Sequence, residues 1–315
     1  MSTQPIITAL GGGHGLAASL SALRHLTTRL TAIVTVADDG GSSGRLRSEF
    51  DILPPGDLRM ALAALCGDDD IERRWASVLQ SRFPGGGPLG GHAIGNLLIA
   101  GLWQQLPDPV DGLQMVAELL HVKGRVLPMS TLPLVIEADM VGHDGDSPDE
   151  IVHVVGQEAV ALARGTIVDV RLTPTRPPAA AEAVTAIRDS DAVVLGPGSW
   201  FSSVLPHLLV PDLCAAIVET KAQRILTMNL VPSDDETYGY TPSRHLEVLA
   251  EHAPLLRLDT VIVDPSFAEG DRHLREYCQS FGADLVIADV RMKDGSARHD
   301  PLKLAAVYSQ VIDFS

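Results

Sequence analysis

Gly11-Gly12-Gly13-His14-Gly15 is the first segment of the 315-residue chain whose residue types could do chemistry. Glycines in such a run let the backbone approach a phosphate. A helix starting there would add unpaired N–H groups and the positive end of its dipole. Gly13-x-Gly15-x-x-Ala18 fits the loose dinucleotide pattern, so an NAD-dependent oxidoreductase and a merely tight turn are the alternatives. A second run, Gly196-Pro197-Gly198-Ser199, follows an apolar stretch and could face the same crevice. Asp38 and Asp39 open the polar segment Asp38-Asp39-Gly40-Gly41-Ser42-Ser43-Gly44-Arg45, which reads as a flexible loop. Adjacent carboxylates suit Mg²⁺ on a diphosphate, and they equally suit a loop that caps the next helix. Gly40-x-Ser42-x-Gly44 also matches a nucleophile elbow. Ser42 lies five residues beyond Ala37, however, and an elbow serine should sit tightly on a strand end.

Further along, Pro54-Pro55-Gly56-Asp57-Leu58-Arg59 reads as a rigid turn into a helix with Asp57 as its N-cap. Arg59 in that first turn opposes the helix dipole, which points to a pairing or a ligand. His92, in Gly90-Gly91-His92-Ala93-Ile94-Gly95-Asn96, is more readily a satisfied structural histidine than a base. Asp144, Asp146, Asp149 and Glu150 read as a solvated hairpin end. In Arg298-His299-Asp300-Pro301, Asp300 is an N-cap with proline at the first helical position. Arg298 just before it could reach a phosphate, or could lie on the surface as a solvated arginine.

The elements that must position these residues alternate. A short strand at Ile6–Leu10 precedes the first glycine run, and Leu16, Leu20, Leu23 and Leu26 then mark one helix face. A second strand over Thr31–Ala37 ends at Asp38. Strand, glycine loop, helix, strand is a βαβ opening with a right-handed crossover. Helices are expected at 57–66, 71–82, 93–105 and 110–122. The middle, about 134–173, reads as an antiparallel hairpin excursion with strands at 134–142, 151–155 and 166–173. Helix and strand then alternate again to the end, with a buried strand at 192–196 before the second glycine run. The expected fold is α/β, three-layered and Rossmann-like, with a mostly parallel sheet in a single domain spanning 1–315.

Forty acidic residues against 24 basic ones give a net charge of −16, which argues against a nucleic-acid partner. Cys66, Cys214 and Cys278 are scattered without C-x-x-C, as expected of buried thiols in a reducing compartment. The start of the chain has no basic n-region, and the longest apolar stretch, within Leu97–Trp103, is far short of a membrane span. A cytoplasmic protein without a membrane partner is expected.

Taken together, several of these segments resemble the YvcK-type (gluconeogenesis factor) branch of the CofD-like family. The resemblance rests on Gly11 to Leu16, Val34 to Arg47 with its DDGGSSGRLR stretch, and Leu53 to Arg59. It extends through Gly91-His92-x-x-Gly95-Asn96-Leu97, Gly124 to Pro128, Gly196 to Ser199 and His299-Asp300-Pro301-x-Lys303-Leu304-Ala305. It implies a Rossmann-like protein that binds a UDP-sugar, notably UDP-N-acetylglucosamine, and that supports cell-wall precursor supply and cell shape on gluconeogenic carbon. On the matching positions, the ligand site would comprise Gly12, Gly13, His14, Gly15, Asp38, Asn96, Gly198 and Ser199, with Arg298 as the cation for the diphosphate. His14 stands where family members usually carry Thr, and Met60 where they carry Asn. A regulatory binding protein is therefore expected, with a cell-wall synthesis enzyme as partner and a homodimer compatible with the fold. The alternative is a Mg²⁺-dependent transferase of a phospholactyl-type group, in which Asp38, Asp39 and Asp57 are the metal or base candidates.

Overall fold

The computed structural model describes residues 4–142, 150–163, 165–232 and 236–313. The main sheet has seven parallel strands: β1 (Ile7–Gly11), β2 (Leu30–Val34), β3 (Arg125–Pro128), β7 (Ala192–Leu195), β8 (Gln223–Thr227), β9 (Thr260–Val263) and β10 (Asp284–Ile287). A smaller antiparallel sheet holds β4 (Val135–Val141) between β5 (Val152–Val155) and β6 (Thr166–Thr173). The helices that bear on the site are α1 (Gly13–Leu23), α2 (Gly41–Phe50), α3 (Pro55–Leu65), α4 (Asp70–Gln80), α5 (Ile94–Trp103), α6 (Pro109–Leu119) and α7 (Gln157–Leu162).

Burial explains which segments took which place. Every residue of β1, β7 and β9 is buried, as strands covered by helices on both faces must be. β10 at the sheet edge is half-open, and β4 alternates inward and outward along its length. The expected α/β fold and the antiparallel excursion are both present, the excursion as a separate three-stranded sheet. The acidic turn 144–149 expected at its tip lies outside the described residues.

The main sheet runs in the order β10-β9-β8-β7-β1-β2-β3. The chain therefore winds outward from β1 to β3, leaves for the small sheet, and returns on the other side of β1 at β7. After β1 and β7 the chain continues to opposite sides of the sheet order, which places a crevice at the carboxyl ends of two adjacent strands.

Two expectations are corrected. Gly41–Phe50 is not a flexible loop but helix α2, begun by Gly40 in extended conformation. Gly44 allows it: a Cβ there would lie 1.9 Å from the Asp39 carbonyl oxygen, so only glycine lets the helix fold back on its own entry. Its basic residues are tied down, Arg45 donating to Gly90 O at 2.9 Å and Arg47 to Leu134 O at 2.7 Å. Asp57 is not the N-cap of α3; Pro54 holds that place and Asp57 lies in the first turn. Asp300 does cap the last helix, Pro301–Val311, accepting from Leu302 N and Lys303 N.

That last helix locks the switch point. Tyr308 is fully buried, and its hydroxyl lies 3.0 Å from Ser19 Oγ on α1 and 2.8 Å from Thr227 Oγ1 at the end of β8. Burial pushes its phenol up to about 12, so it stays protonated. Ser19 Oγ in turn donates to Gly196 O at 2.9 Å, joining α1 to the second glycine loop. Replacing Tyr308 with Phe should cost about 1–2 kcal/mol, because two buried hydroxyls lose a partner. The urea midpoint reads this directly, and an unmoved midpoint would remove the tyrosine from the account.

Candidate functional site

The crevice at the switch point has two neighbouring parts. The larger, about 720 Å³, runs from the loop after β1 across the loop after β7 to the turn before the last helix. The smaller, about 360 Å³, lies between α2, α3, α5 and α7. Asp57 and Gln157 line both.

Two glycines make the larger part possible. A Cβ on Gly15 would fall 2.2 Å from Pro197 O, so the two loops can touch only because that position is glycine. A Cβ on Gly12 would meet Thr35 Oγ1 at 2.4 Å and Asp57 Oδ2 at 2.6 Å. Asn229 braces the other loop, accepting from Gly198 N at 3.0 Å and donating to Gly198 O at 2.9 Å. The result is the amino end of α1 facing a fixed glycine loop, an arrangement able to receive a phosphate. Gly12, Gly13, His14, Gly15, Gly198, Ser199 and Arg298, all expected at the site, line this part together. His14 and Arg298 are exposed. His299 beside Arg298 is half-buried, its Nε2 lies 3.2 Å from Met228 O, and desolvation lowers its pKa to about 4, so it remains neutral.

Asp57 sits at the junction. Its carboxylate accepts from Thr35 Oγ1 at 3.2 Å and from the Gly13 backbone N–H, so it occupies the first amide of α1 itself. Burial, reinforced by the charge of Asp38, raises its pKa from 3.8 to about 6. Among the described residues no group of three or more His, Cys, Asp or Glu side chains is placed to hold a metal. Asp38 and Asp57, both lining the smaller part, are the pair that could share Mg²⁺ with a diphosphate, since that ion commonly takes one or two carboxylates and completes its shell with phosphate and water. Asp39 lines neither part: its Oδ1 accepts from Glu158 N at 3.0 Å, anchoring α7.

In the smaller part, Asn96 Nδ2 donates to Ser42 Oγ at 3.0 Å, and Ser42 Oγ stands 3.0 Å from His92 Nδ1. This serine–histidine contact was not visible in the sequence. Both residues are buried, desolvation lowers the His92 pKa, and the serine hydroxyl is held between an amide and an imidazole. The three form a polar chain that orients Asn96. Arg59 donates to Leu79 O at 3.4 Å and to Gln80 Oε1, which satisfies the pairing its position had suggested.

Residues 7–300 match a family model described as 2-phospho-L-lactate transferase CofD. The chain belongs to the CofD family. Within the CofD family it is similar to a Mycobacterium tuberculosis protein at 53% identity over 308 residues, which covers 97% of this chain and 90% of that protein. It is 34% identical over 314 residues to a protein from Listeria innocua named gluconeogenesis factor, covering 96% and 94%. A crystal structure of a UPF0052-family protein from Bacillus halodurans superposes with a TM-score of 0.85 at 33% identity, covering 97% and 98% of the two chains. The family resemblance carried by the DDGGSSGRLR stretch and the glycine runs is thereby borne out.

Sequence reasoning missed Gln157 and Glu158, which α7 brings to the crevice from the segment between β5 and β6. Their one signal was Gly156, whose φ of 103° marks a turn into the helix. It also missed Asn229, Met292 and Arg82, which carry no motif of their own.

Proposed function

We propose that this CofD-family protein binds a nucleoside diphosphate-sugar, UDP-N-acetylglucosamine in the first instance, as a regulatory protein of cell-wall precursor supply under gluconeogenic growth. The observation that carries the reading is the meeting of two glycine loops, one at a helix amino end, in a crevice with Arg298 on its rim. In this reading the protein works in the cytoplasm on a partner enzyme of cell-wall synthesis, with cell shape as the outcome. Among the described residues no helix is long and apolar enough to cross a membrane, which agrees with it.

Calorimetric titration with UDP-N-acetylglucosamine, with and without Mg²⁺, tests the reading against UDP-glucose, GDP and NAD. Selective saturable binding with the ligand recovered intact supports it; absence of binding to any nucleotide sinks it. Replacing Arg298 with Ala should weaken binding by about 1.5–3 kcal/mol, as loss of a charge-assisted hydrogen bond to phosphate would. Unchanged affinity in that variant would take the arginine out of the site.

A second reading, a Mg²⁺-dependent transferase of a phosphate-linked group, is favoured by Asp57 and Asp38 lying together in the smaller part. With the ion bound there, its positive charge would neutralise the diphosphate and the nucleoside monophosphate that leaves when the P–O–P bond breaks. Cleavage of the ligand in the same titration would select this reading over the first.

A further inference from the structure

We propose that the exposed apolar line of α4 pairs, antiparallel and across a two-fold axis, with the same line of a second copy of this chain.

The line is set by how α4 sits on the protein. The helix packs against α3 and α5 through its other face, where Leu79 is buried and Ala76 half-buried against the core. Ile71, Trp75 and Val78 recur at i, i+4 and i+7, turned about 100° round the helix from Glu72, Ala76 and Leu79. They are 66%, 38% and 38% exposed. Single exposed apolar residues need no explanation, whereas three in one open line mark a surface that is covered by a partner. The line is also rigid. A capping box holds the amino end of α4, with Asp69 Oδ1 accepting from Glu72 N at 2.7 Å and Asp69 N donating to Glu72 Oε2 at 3.1 Å. A surface ordered in advance loses little freedom on docking.

Charge decides which partner. Trp75 stands at the middle of α4, Asp70–Gln80. Asp68 lies seven residues before it and Arg82 seven after, both exposed and just beyond either end of the helix. The sequence acid, Ile71, Trp75, Val78, base is therefore its own complement when turned end over end. With two such lines antiparallel about Trp75, Ile71 of each copy lies opposite Val78 of the other. Asp68 of each copy then lies opposite Arg82 of the other. An isologous interface requires this self-complementarity. Parallel pairing would set acid on acid and base on base. A partner of one charge would satisfy one end of the line and oppose the other.

Local charge also makes self-association workable in a chain of net charge −16. Arg73, Arg74 and Arg82 place three of its 24 basic residues within this short segment, which softens the repulsion between two acidic copies there. Within the protomer Asp68 pairs with Arg24, and Arg82 donates to Gly91 O at 2.7 Å, so both charges are held near the ends of the line. Arg82 lines the smaller part of the crevice as well, so the seam between copies ends at the wall of the candidate site.

Sedimentation equilibrium of the full chain between about 1 and 100 μM, the range that a seam this small calls for, tests the pairing. The wild type should show a monomer–dimer equilibrium. Ile71→Glu, at the most open of the three positions, should raise the dimer dissociation constant at least tenfold while circular dichroism and the urea midpoint stay those of the wild type. Asp68→Arg and Arg82→Asp should each weaken the dimer several-fold, because each sets like charges together at both ends. Mixed one to one, these two variants should form a heterodimer as tight as the wild-type dimer, since every end then pairs acid with base. Misfolding cannot produce that rescue. A wild type that is monomeric throughout, a dimer indifferent to Ile71→Glu, or charge variants that mixing does not rescue would each overturn the proposal.

Discussion

Gly15→Ala should abolish nucleotide binding and lower stability together. The new Cβ would sit 2.2 Å from Pro197 O, 2.6 Å from Pro197 C and 2.7 Å from Gly198 Cα. All three are backbone atoms, so no side chain can turn aside, and the two glycine loops must separate. That separation pulls α1 from the loop that Ser19 and Tyr308 hold through Gly196 and Thr227. Overpacking of this kind typically costs about 1–3 kcal/mol, and a displaced phosphate loop loses its converging donors as well. Affinity for UDP-N-acetylglucosamine should fall by more than a hundredfold, with a lower melting temperature. A variant that binds and melts like the wild type would show that the loops do not need to touch. Gly13→Ala is the informative companion. Gly13 has open space around its Cβ position but a φ of 55°, so the cost there should be conformational and smaller.

The second large effect is a pH dependence written into Asp57. Its carboxyl titrates near 6 in the folded protein, chiefly because burial disfavours the charge and secondly because Asp38 repels it, against an ordinary 3.8. The folded state therefore holds this proton more tightly than the unfolded chain does. The stability it contributes is complete below pH 3.8 and is lost as pH rises through 6. Each pH unit between the two values is worth about 1.4 kcal/mol, so at pH 7 the ionised carboxylate costs the ligand-free protein about 3 kcal/mol. Asp57→Asn keeps a group that can accept from Thr35 Oγ1 and removes the charge. The variant should be more stable than the wild type by roughly 2–3 kcal/mol at pH 7 and nearly equal to it at pH 4. Urea unfolding of both proteins across that range measures the difference. A constant gap at every pH would mean that the carboxylate is not strained by its surroundings. A functional group retained at such a cost is common at active and binding sites.

How much of this was legible in the chain depends on what each residue's job requires. Gly11 to Gly15 and Gly196 to Ser199 stood out because a close backbone approach demands glycine, and glycine is visible in a sequence. The strands were legible because central parallel strands must be apolar throughout, as in Ala192–Leu195. Helix α2 was hidden: its glycines and serines have poor helix propensity, and what holds it is tertiary, through Arg45, Arg47 and the packing of Gly44 on Asp39. Asp57 was singled out for a cap, the commonest use of aspartate before a helix, whereas Thr35 and Gly13 from distant strand ends claim its side chain. Gln157 and Glu158 were invisible because their place at the crevice is set by the route of the small sheet and by the Asp39 bond to α7, neither of which leaves a local pattern.

The position of β1 between β2 and β7 has a consequence for the protein as it is made. Gly15 and Pro197, which meet across the crevice, are 197 − 15 = 182 residues apart. At about 5–20 residues per second on the ribosome, the first glycine loop emerges roughly 9–36 s before the loop it must touch. Arg298 follows a further 298 − 197 = 101 residues later. A nascent chain thus has no complete crevice until nearly all of it has been synthesised. A ligand that needs both loops would stabilise the finished molecule and not its truncated forms.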